Sequence, residues 1–126
     1  MSEILIDHVL LDRVTKAAKE SPRLRMNYNF HESLSSPSQR LLNALEPGTV
    51  LPIHRHRHTA ETYVLLRGRM RVLFYDDDKK EINRYELDPA EGTYGVNIPR
   101  GQWHTIEVLC AGTVIFEVKD GPYIPI

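Results

Sequence analysis

The sequence predicts an all-β domain, an antiparallel sandwich or barrel, with one short α-helix at its N-terminal end. Two observations carry this. From Leu24 onward, short β-rich runs recur, each closed by turn-forming residues. Before Leu24, and only there, apolar residues repeat at helical spacing over a long stretch.

The elements follow in chain order. Ile4–Ile6 reads as a short strand. Asp7 can then cap a helix from about His8 to Glu20, in which Leu10, Leu11, Val14, Ala17 and Ala18 form one apolar stripe. Ser21-Pro22 stops it, because proline cannot continue the hydrogen-bond ladder. The stripe is expected to pack on the domain or on a second subunit. The predicted strands are Leu24–Phe30, Arg40–Leu45, Val50–His56, Thr62–Leu66, Met70–Tyr75, Glu81–Leu87, Tyr94–Ile98, His104–Val108 and Val114–Val118. Pro47-Gly48, Arg67-Gly68, Asp88-Pro89, Pro99-Arg100-Gly101 and Ala111-Gly112 punctuate them. Ser36, Pro37 and Gln39 can form a capping box for one helical turn, which leaves open where the Arg40 strand starts.

A chain of 126 residues is expected to form a single domain over 1–126, with the helix at about 8–20 and the barrel over about 24–120. Its net charge of −1 gives no electrostatic case for nucleic acid or an anionic membrane as partner. The single cysteine, Cys110, cannot form an internal disulfide. The N-terminal stretch carries Glu3, Asp7 and Asp12 and lacks a long apolar run, so neither a signal peptide nor a membrane span is predicted, and a cytoplasmic protein is expected. Asp76–Asp78 with Lys79 and Lys80 reads as a solvated hairpin turn, without the ligand spacing or glycine of a calcium loop.

The chemistry concentrates in the histidines. Three of the six lie within five residues, at His54, His56 and His58. Side chains alternate along a strand, so His54 and His56 project to one side, close enough to grip one ion. After a turn over Arg57–Ala60, Glu61 starts the next strand and can reach the same ion. His104, just after the tight Pro99-Arg100-Gly101 turn, supplies the fourth ligand. His58 shares the parity of His56 and can replace either histidine if the strand ends late. Three imidazoles and one carboxylate suit one divalent transition-metal ion, among iron, manganese, zinc and nickel, and leave an octahedral ion two open positions.

The spacing of these residues resembles the cupins. Gly48, five residues, His54-x-His56, four residues, Glu61, six residues, Gly68 is similar to the first cupin motif without a gap. Gly92, six residues, Pro99-x-Gly101, two residues, His104 resembles the second, with one extra residue before the proline and Val108 where the motif closes on asparagine. The resemblance implies a small cupin barrel, the double-stranded β-helix or jelly roll, with the ion inside one mouth. Arg23–His31, Gln39–Ala44, Pro52–His56 and Gly121–Tyr123 further resemble the WbuC-type cupin metalloproteins. These are bacterial and associated with lipopolysaccharide O-antigen gene clusters. That likeness implies metal binding and a link to surface-sugar biosynthesis, and supplies no reaction.

Around the expected site, Tyr63 shares its strand face with Glu61 and can line the pocket or simply pack. Arg25, Asn29 and His31 share one face of the Leu24–Phe30 strand, while Leu24, Met26, Tyr28 and Phe30 share the other. The polar face meets solvent or lines the metal cavity, where it would read a polar substrate. Tyr63 or His31 can serve as general acid or base. The expected function is a metal-dependent enzyme, of isomerase, epimerase or dioxygenase type, acting on a small-molecule substrate such as a sugar or nucleotide-sugar. Its rival is a non-catalytic module that binds or senses a small molecule or metal. Cupins of this size often pair, and the N-terminal stripe with the tail Pro122–Ile126 offers surplus apolar surface, so a homodimer is expected.

Overall fold

The structure is a computed structural model and describes residues 2–126. Helix α1 spans His8–Glu20, and the Asp7 carboxylate caps it by accepting from the Leu10 N–H at 3.0 Å. Leu10, Leu11, Val14 and Ala18 are buried as the spacing predicts, Thr15 joins them, and Ala17 is half-buried at the rim. Ile4–Ile6 forms no strand and is exposed.

Eight strands follow: β1 (Arg25–Asn29), β2 (Ser38–Leu45), β3 (Glu61–Arg67), β4 (Met70–Tyr75), β5 (Glu81–Leu87), β6 (Gly95–Ile98), β7 (Trp103–Val108) and β8 (Thr113–Asp120). The predicted Val50–His56 strand is absent. The capping-box turn is absent too, since β2 already begins at Ser38; the buried Gln39 amide instead donates to Ser36 O at 2.9 Å. Asp88 caps a single 3-10 turn, Pro89–Glu91, that the sequence reading took for a plain turn.

The strands form two antiparallel sheets, β1-β2-β8-β3-β6 and β5-β4-β7. Strand alternation divides the larger sheet into two faces. Its outer face, with Leu42, Ala44 and Val114, lies under the apolar stripe of α1. Its inner face meets the smaller sheet in a core that includes Leu45, Leu65, Met70, Val72, Leu87, Ile106 and Ile115. Fully burying a leucine such as Leu42 contributes roughly 1.5–3 kcal/mol. Arg67, at the end of β3, ties the helix to the sheet through Asp12 at 2.7 Å, Thr15 Oγ1 at 2.9 Å and Gly112 O at 3.0 Å. Gly68 turns the chain into β4 at φ 95°, and any side chain there would collide with Thr113.

Candidate metal centre

The two leading histidines sit on irregular chain. Pro52 withholds an N–H, and the segment pairs with its neighbour only at the entrance to β7. There His54 and His104 exchange both backbone hydrogen bonds, at 3.0 and 2.8 Å, and Gly101 N–H reaches His56 O at 2.8 Å. The Pro99–Gln102 turn sets up this pairing, with Gly101 at φ 83° and Gln102 N–H on Pro99 O at 3.2 Å. Glu61 is the first residue of β3 and His104 the second of β7. Strand parity was therefore the wrong reason to pair His54 with His56. Backbone pairing against the β7 entrance aims them.

The structure brings His54, His56, Glu61 and His104 together, with one ligand atom from each within 4.8 Å of all the others. Glu61 is 2% and His104 1% exposed. His54 Nδ1 lies 2.9 Å from Pro52 O, and His104 Nδ1 lies 2.9 Å from Gln102 O. A carbonyl only accepts, so each Nδ1 carries a proton, and in the neutral ring this leaves Nε2 as the lone pair that can ligate. Burial lowers the pKa of His54, helped by the nearby His104 and Lys119 and opposed by the Pro52 carbonyl and Glu61. Burial likewise takes His56 from 6.5 to about 4 against the pull of Glu61. Both rings are thus neutral at neutral pH, the form that ligates metal.

Glu61 Oε2 lies 3.2 Å from His104 Nε2 and 3.5 Å from His56 Nε2, yet it is buried with no hydrogen-bond partner among the described residues. Burial acts to raise the Glu61 carboxyl. The adjacent His104 ring, Lys119 and His56 outweigh it and hold the group below the ordinary carboxylate range. A buried anionic oxygen among imidazole nitrogens, with no well-formed hydrogen bond, is unfavourable without a cation between them. The donor set and its unsatisfied oxygen fit a divalent metal ion.

A cavity of about 160 Å³ is lined by three of the four residues, His54, His56 and Glu61, together with Arg25, Asn27, Asn43, Tyr63, Glu117 and Lys119. Register explains the grouping, since Glu61 faces Lys119 and Tyr63 faces Glu117 across β3 and β8. The Tyr63 hydroxyl lies 3.5 Å from His104 Nε2. Burial, with Glu61 and Glu117 nearby, pushes its pKa well up, so it remains a phenol able to donate. Burial and Glu61 also raise Glu117, whose Oε1 accepts from Asn43 Nδ2 at 3.1 Å. Lys119 Nζ stands between the carboxylates, 3.8 Å from Glu61 Oε1 and 3.7 Å from Glu117 Oε2.

Of the expected substrate residues, Arg25 borders this cavity, with Nη1 donating to Val50 O at 3.0 Å and Thr49 Oγ1 at 3.4 Å. Asn29 and His31 do not border it, which corrects their expected placement. Strand β1 ends at Asn29, so alternation no longer governs His31. The buried His31 ring accepts the Arg40 N–H at 3.1 Å and lines a separate depression with Ser2 and Phe30. Asn27, of the same parity as Arg25, takes the place expected of Asn29. His58 lies outside the four-residue group, with its Nε2 3.2 Å from Asp120 O. Sequence reading also missed Glu117 and Lys119. The available signal was their parity with the buried Ile115 on β8. On the far side of His54 and His56, a groove of about 590 Å³ runs between residues 52–58, Trp103 and the tail Ile124–Ile126. Tyr123 and Ile126 border the metal cavity as well.

Among solved structures, the capsular polysaccharide assembling protein CapF from Staphylococcus aureus matches with TM-score 0.65 and 23% identity, over 79% of this chain and 27% of CapF. The cupin domain of Schizosaccharomyces pombe Cnp3 matches with TM-score 0.60 and 11% identity, over 76% of this chain and 64% of that one. Oxalate decarboxylase of Bacillus subtilis, a protein with Mn(II) centres, matches with TM-score 0.60 and 20% identity, over 80% of this chain and 26% of its own. The chain thus spans about a quarter of the length of CapF and of the decarboxylase. These likenesses show the fold, a small cupin jelly roll with an N-terminal helix. No curated protein matches the sequence significantly. No helix among the described residues is long and apolar enough to cross a membrane. A family model described as a domain of unknown function, DUF6016, matches residues 6–87.

Proposed function

The chain belongs to the DUF6016 family, a domain of unknown function, and from its site we propose that it is a metal-dependent cupin enzyme acting on a small polar molecule. One observation carries the metal: buried Glu61 Oε2 lies 3.2 Å from His104 Nε2 and has no hydrogen-bond partner among the described residues. His54, His56, Glu61 and His104 would hold one divalent ion of the iron, manganese, zinc or nickel kind. Bound there, such an ion supplies Lewis acidity to a substrate carbonyl or hydroxyl oxygen. The chain's own groups do the rest. The Pro52 and Gln102 carbonyls fix the imidazole tautomers. The Tyr63 phenol donates a hydrogen bond or a proton towards the reacting atoms. Glu117, with its raised pKa, can hold a proton beside Glu61. The volume of about 160 Å³ favours a sugar-sized molecule over a whole nucleotide-sugar, since pockets that enclose drug-sized ligands run to roughly 300–1,000 Å³.

The WbuC-type resemblance, and the fold shared with a protein named for capsular polysaccharide assembly, support a place in bacterial surface-polysaccharide biosynthesis, in the cytoplasm. Exposed Leu5 and Val9 at one end of the chain and Ile124 and Ile126 at the other support a homodimer. Elemental analysis of protein purified without added metal tests the central reading. The expected result is one transition-metal ion per chain in the wild type and almost none in Glu61→Gln. Equal metal in both would overturn it. Light scattering that gives a 14.6 kDa particle would remove the dimer.

A further inference from the structure

Two polar groups in the metal cavity have spare hydrogen-bonding capacity, and they are of opposite kind. Asn43 spends its amide N–H on Glu117 Oε1 at 3.1 Å, while its Oδ1 is buried with no partner among the described residues. That oxygen is an acceptor waiting for a donor. Lys119 carries three N–H donors, and the two carboxylates beside it lie at 3.8 and 3.7 Å, beyond hydrogen-bond length. Its ammonium is held by charge and can still donate. Both residues line the cavity, as do Arg23 and Arg25.

Charge and size narrow the occupant. Three cationic side chains, Arg23, Arg25 and Lys119, stand against two carboxylates, Glu61 and Glu117. A divalent ion would add two more positive charges, so the cavity as a whole attracts an anion. A volume of about 160 Å³ holds roughly five waters' worth of liquid at ≈ 30 Å³ each, enough for a molecule of a few carbons. Lys119, 3.8 Å from Glu61 Oε1, would place a carboxylate next to the metal ligands. The Asn43 acceptor requires an O–H or N–H donor on the same molecule.

We propose that this cavity binds a small hydroxylated carboxylate, with its acid group on Lys119 and Arg25 and a hydroxyl donating to Asn43 Oδ1. The inference rests on the metal-centre reading and narrows its substrate class to hydroxy acids and short sugar acids. A neutral sugar leaves the cations unanswered, and a plain carboxylate leaves Asn43 unanswered. Lys119 and Asn43 are then the specificity-determining residues, reached from β8 and β2 rather than from the metal-ligand segments.

Calorimetric titration of the full chain loaded with Mn²⁺ tests this. Glycerate is compared with propionate, which lacks the hydroxyls, with glycerol, which lacks the acid, and with inorganic phosphate. Metal is measured in the same samples by elemental analysis. Glycerate is expected to bind about 10-fold more tightly than each of the other three, because the acid that glycerol lacks meets a charged group and the hydroxyl that propionate lacks fills a buried acceptor otherwise left unpaired. Lys119→Met should weaken glycerate ~10-fold or more at unchanged metal content. Asn43→Leu should bring glycerate down to the level of propionate. Propionate or phosphate binding as well as glycerate to the wild type would overturn the proposal, whatever the variants do. So would stoichiometric metal with no glycerate binding. A glycerate preference that survives in protein holding no metal would instead overturn the metal reading alone.

Discussion

Apart from His54 and His56, which irregular chain brings in, four strands supply both halves of the barrel interior in the same parity, and the halves could hardly differ more. Along β3 the inward positions run Glu61, Tyr63, Leu65; along β7 His104, Ile106, Val108; along β8 Ile115, Glu117, Lys119; along β2 Asn43, Leu45. One half is buried leucine, isoleucine, valine and methionine. The other is three imidazoles, two carboxylates, an ammonium and a phenol. Strand alternation fixes which residues point inward. It says nothing about how far along the barrel the interior stays apolar. The apolar half supplies the burial that holds the sheets together, and that frees the polar half to keep unsatisfied groups that a folding core would not tolerate.

The comparison breaks most visibly in the apolar half. Met70→Ala is expected to destabilise the chain by ~2–5 kcal/mol in urea unfolding while leaving metal per folded molecule unchanged. Loss of metal on that change would mean that the halves are not separable. In the polar half, His104→Ala should remove the ion. Chelation of the wild type should lower stability by ~2.7 kcal/mol relative to free metal at a hundred times its dissociation constant. A thermal-shift titration with metal and chelator reads both, and no shift would deny that the ion binds the folded state.

Acid sharpens the contrast further. In metal-free protein, His56 titrates near 4 when folded and near 6.5 when unfolded. The unfolded chain therefore binds more protons in that window. The associated stability is complete above about pH 6.5 and is lost as pH falls towards 4. Glu117 acts in the opposite sense. Its folded pKa is raised, so its contribution is complete below the ordinary carboxylate range and is lost as pH rises towards neutrality. The two oppose each other where their windows overlap, and Glu117→Gln should steepen the rise of stability with pH from about 4 to 6.5. Urea midpoints measured across that range with chelator present check this. An unchanged profile in the variant would show that Glu117 is not protonated in the folded state.

The smallest effect is expected at Tyr63. Its hydroxyl meets His104 Nε2 at only 3.5 Å, so Tyr63→Phe should change stability by less than ~1 kcal/mol. Turnover, once a substrate is found, should fall far more if the phenol donates to the reacting atoms. Equal turnover in the variant would remove it from the chemistry.

How much of this could be read from the sequence follows the same divide. Helix α1 was legible because Asp7 caps it and four buried apolar residues keep helical spacing. Met70–Tyr75 and Glu81–Leu87 were predicted to the residue, being β-rich runs closed by turn residues. The four candidate ligands were legible through their spacing and motif resemblance. The reason for their convergence was not, because the pairing of His54 with His104 joins residues fifty positions apart. His31 went astray because β1 ends at Asn29 and periodicity stops carrying information, while Asn29 keeps the parity of Arg25 but does not border the cavity. Glu117 and Lys119 were passed over because charged residues at the end of a strand look like ordinary solvent-facing ones until the neighbouring strand is known.

The tail has a practical bearing on all of these measurements. Tyr123 and Ile126 border the metal cavity, and Ile124–Ile126 wall the groove beside His54 and His56. A hexahistidine purification handle fused after Ile126 would start at the rim of the cavity and bring competing imidazoles with it. Apparent stoichiometries above one, or a nickel ion carried over from the affinity column, would then describe the handle. A cleavable handle placed before Ser2, which lines a different depression with His31, keeps those added histidines away from the four residues whose metal is being counted.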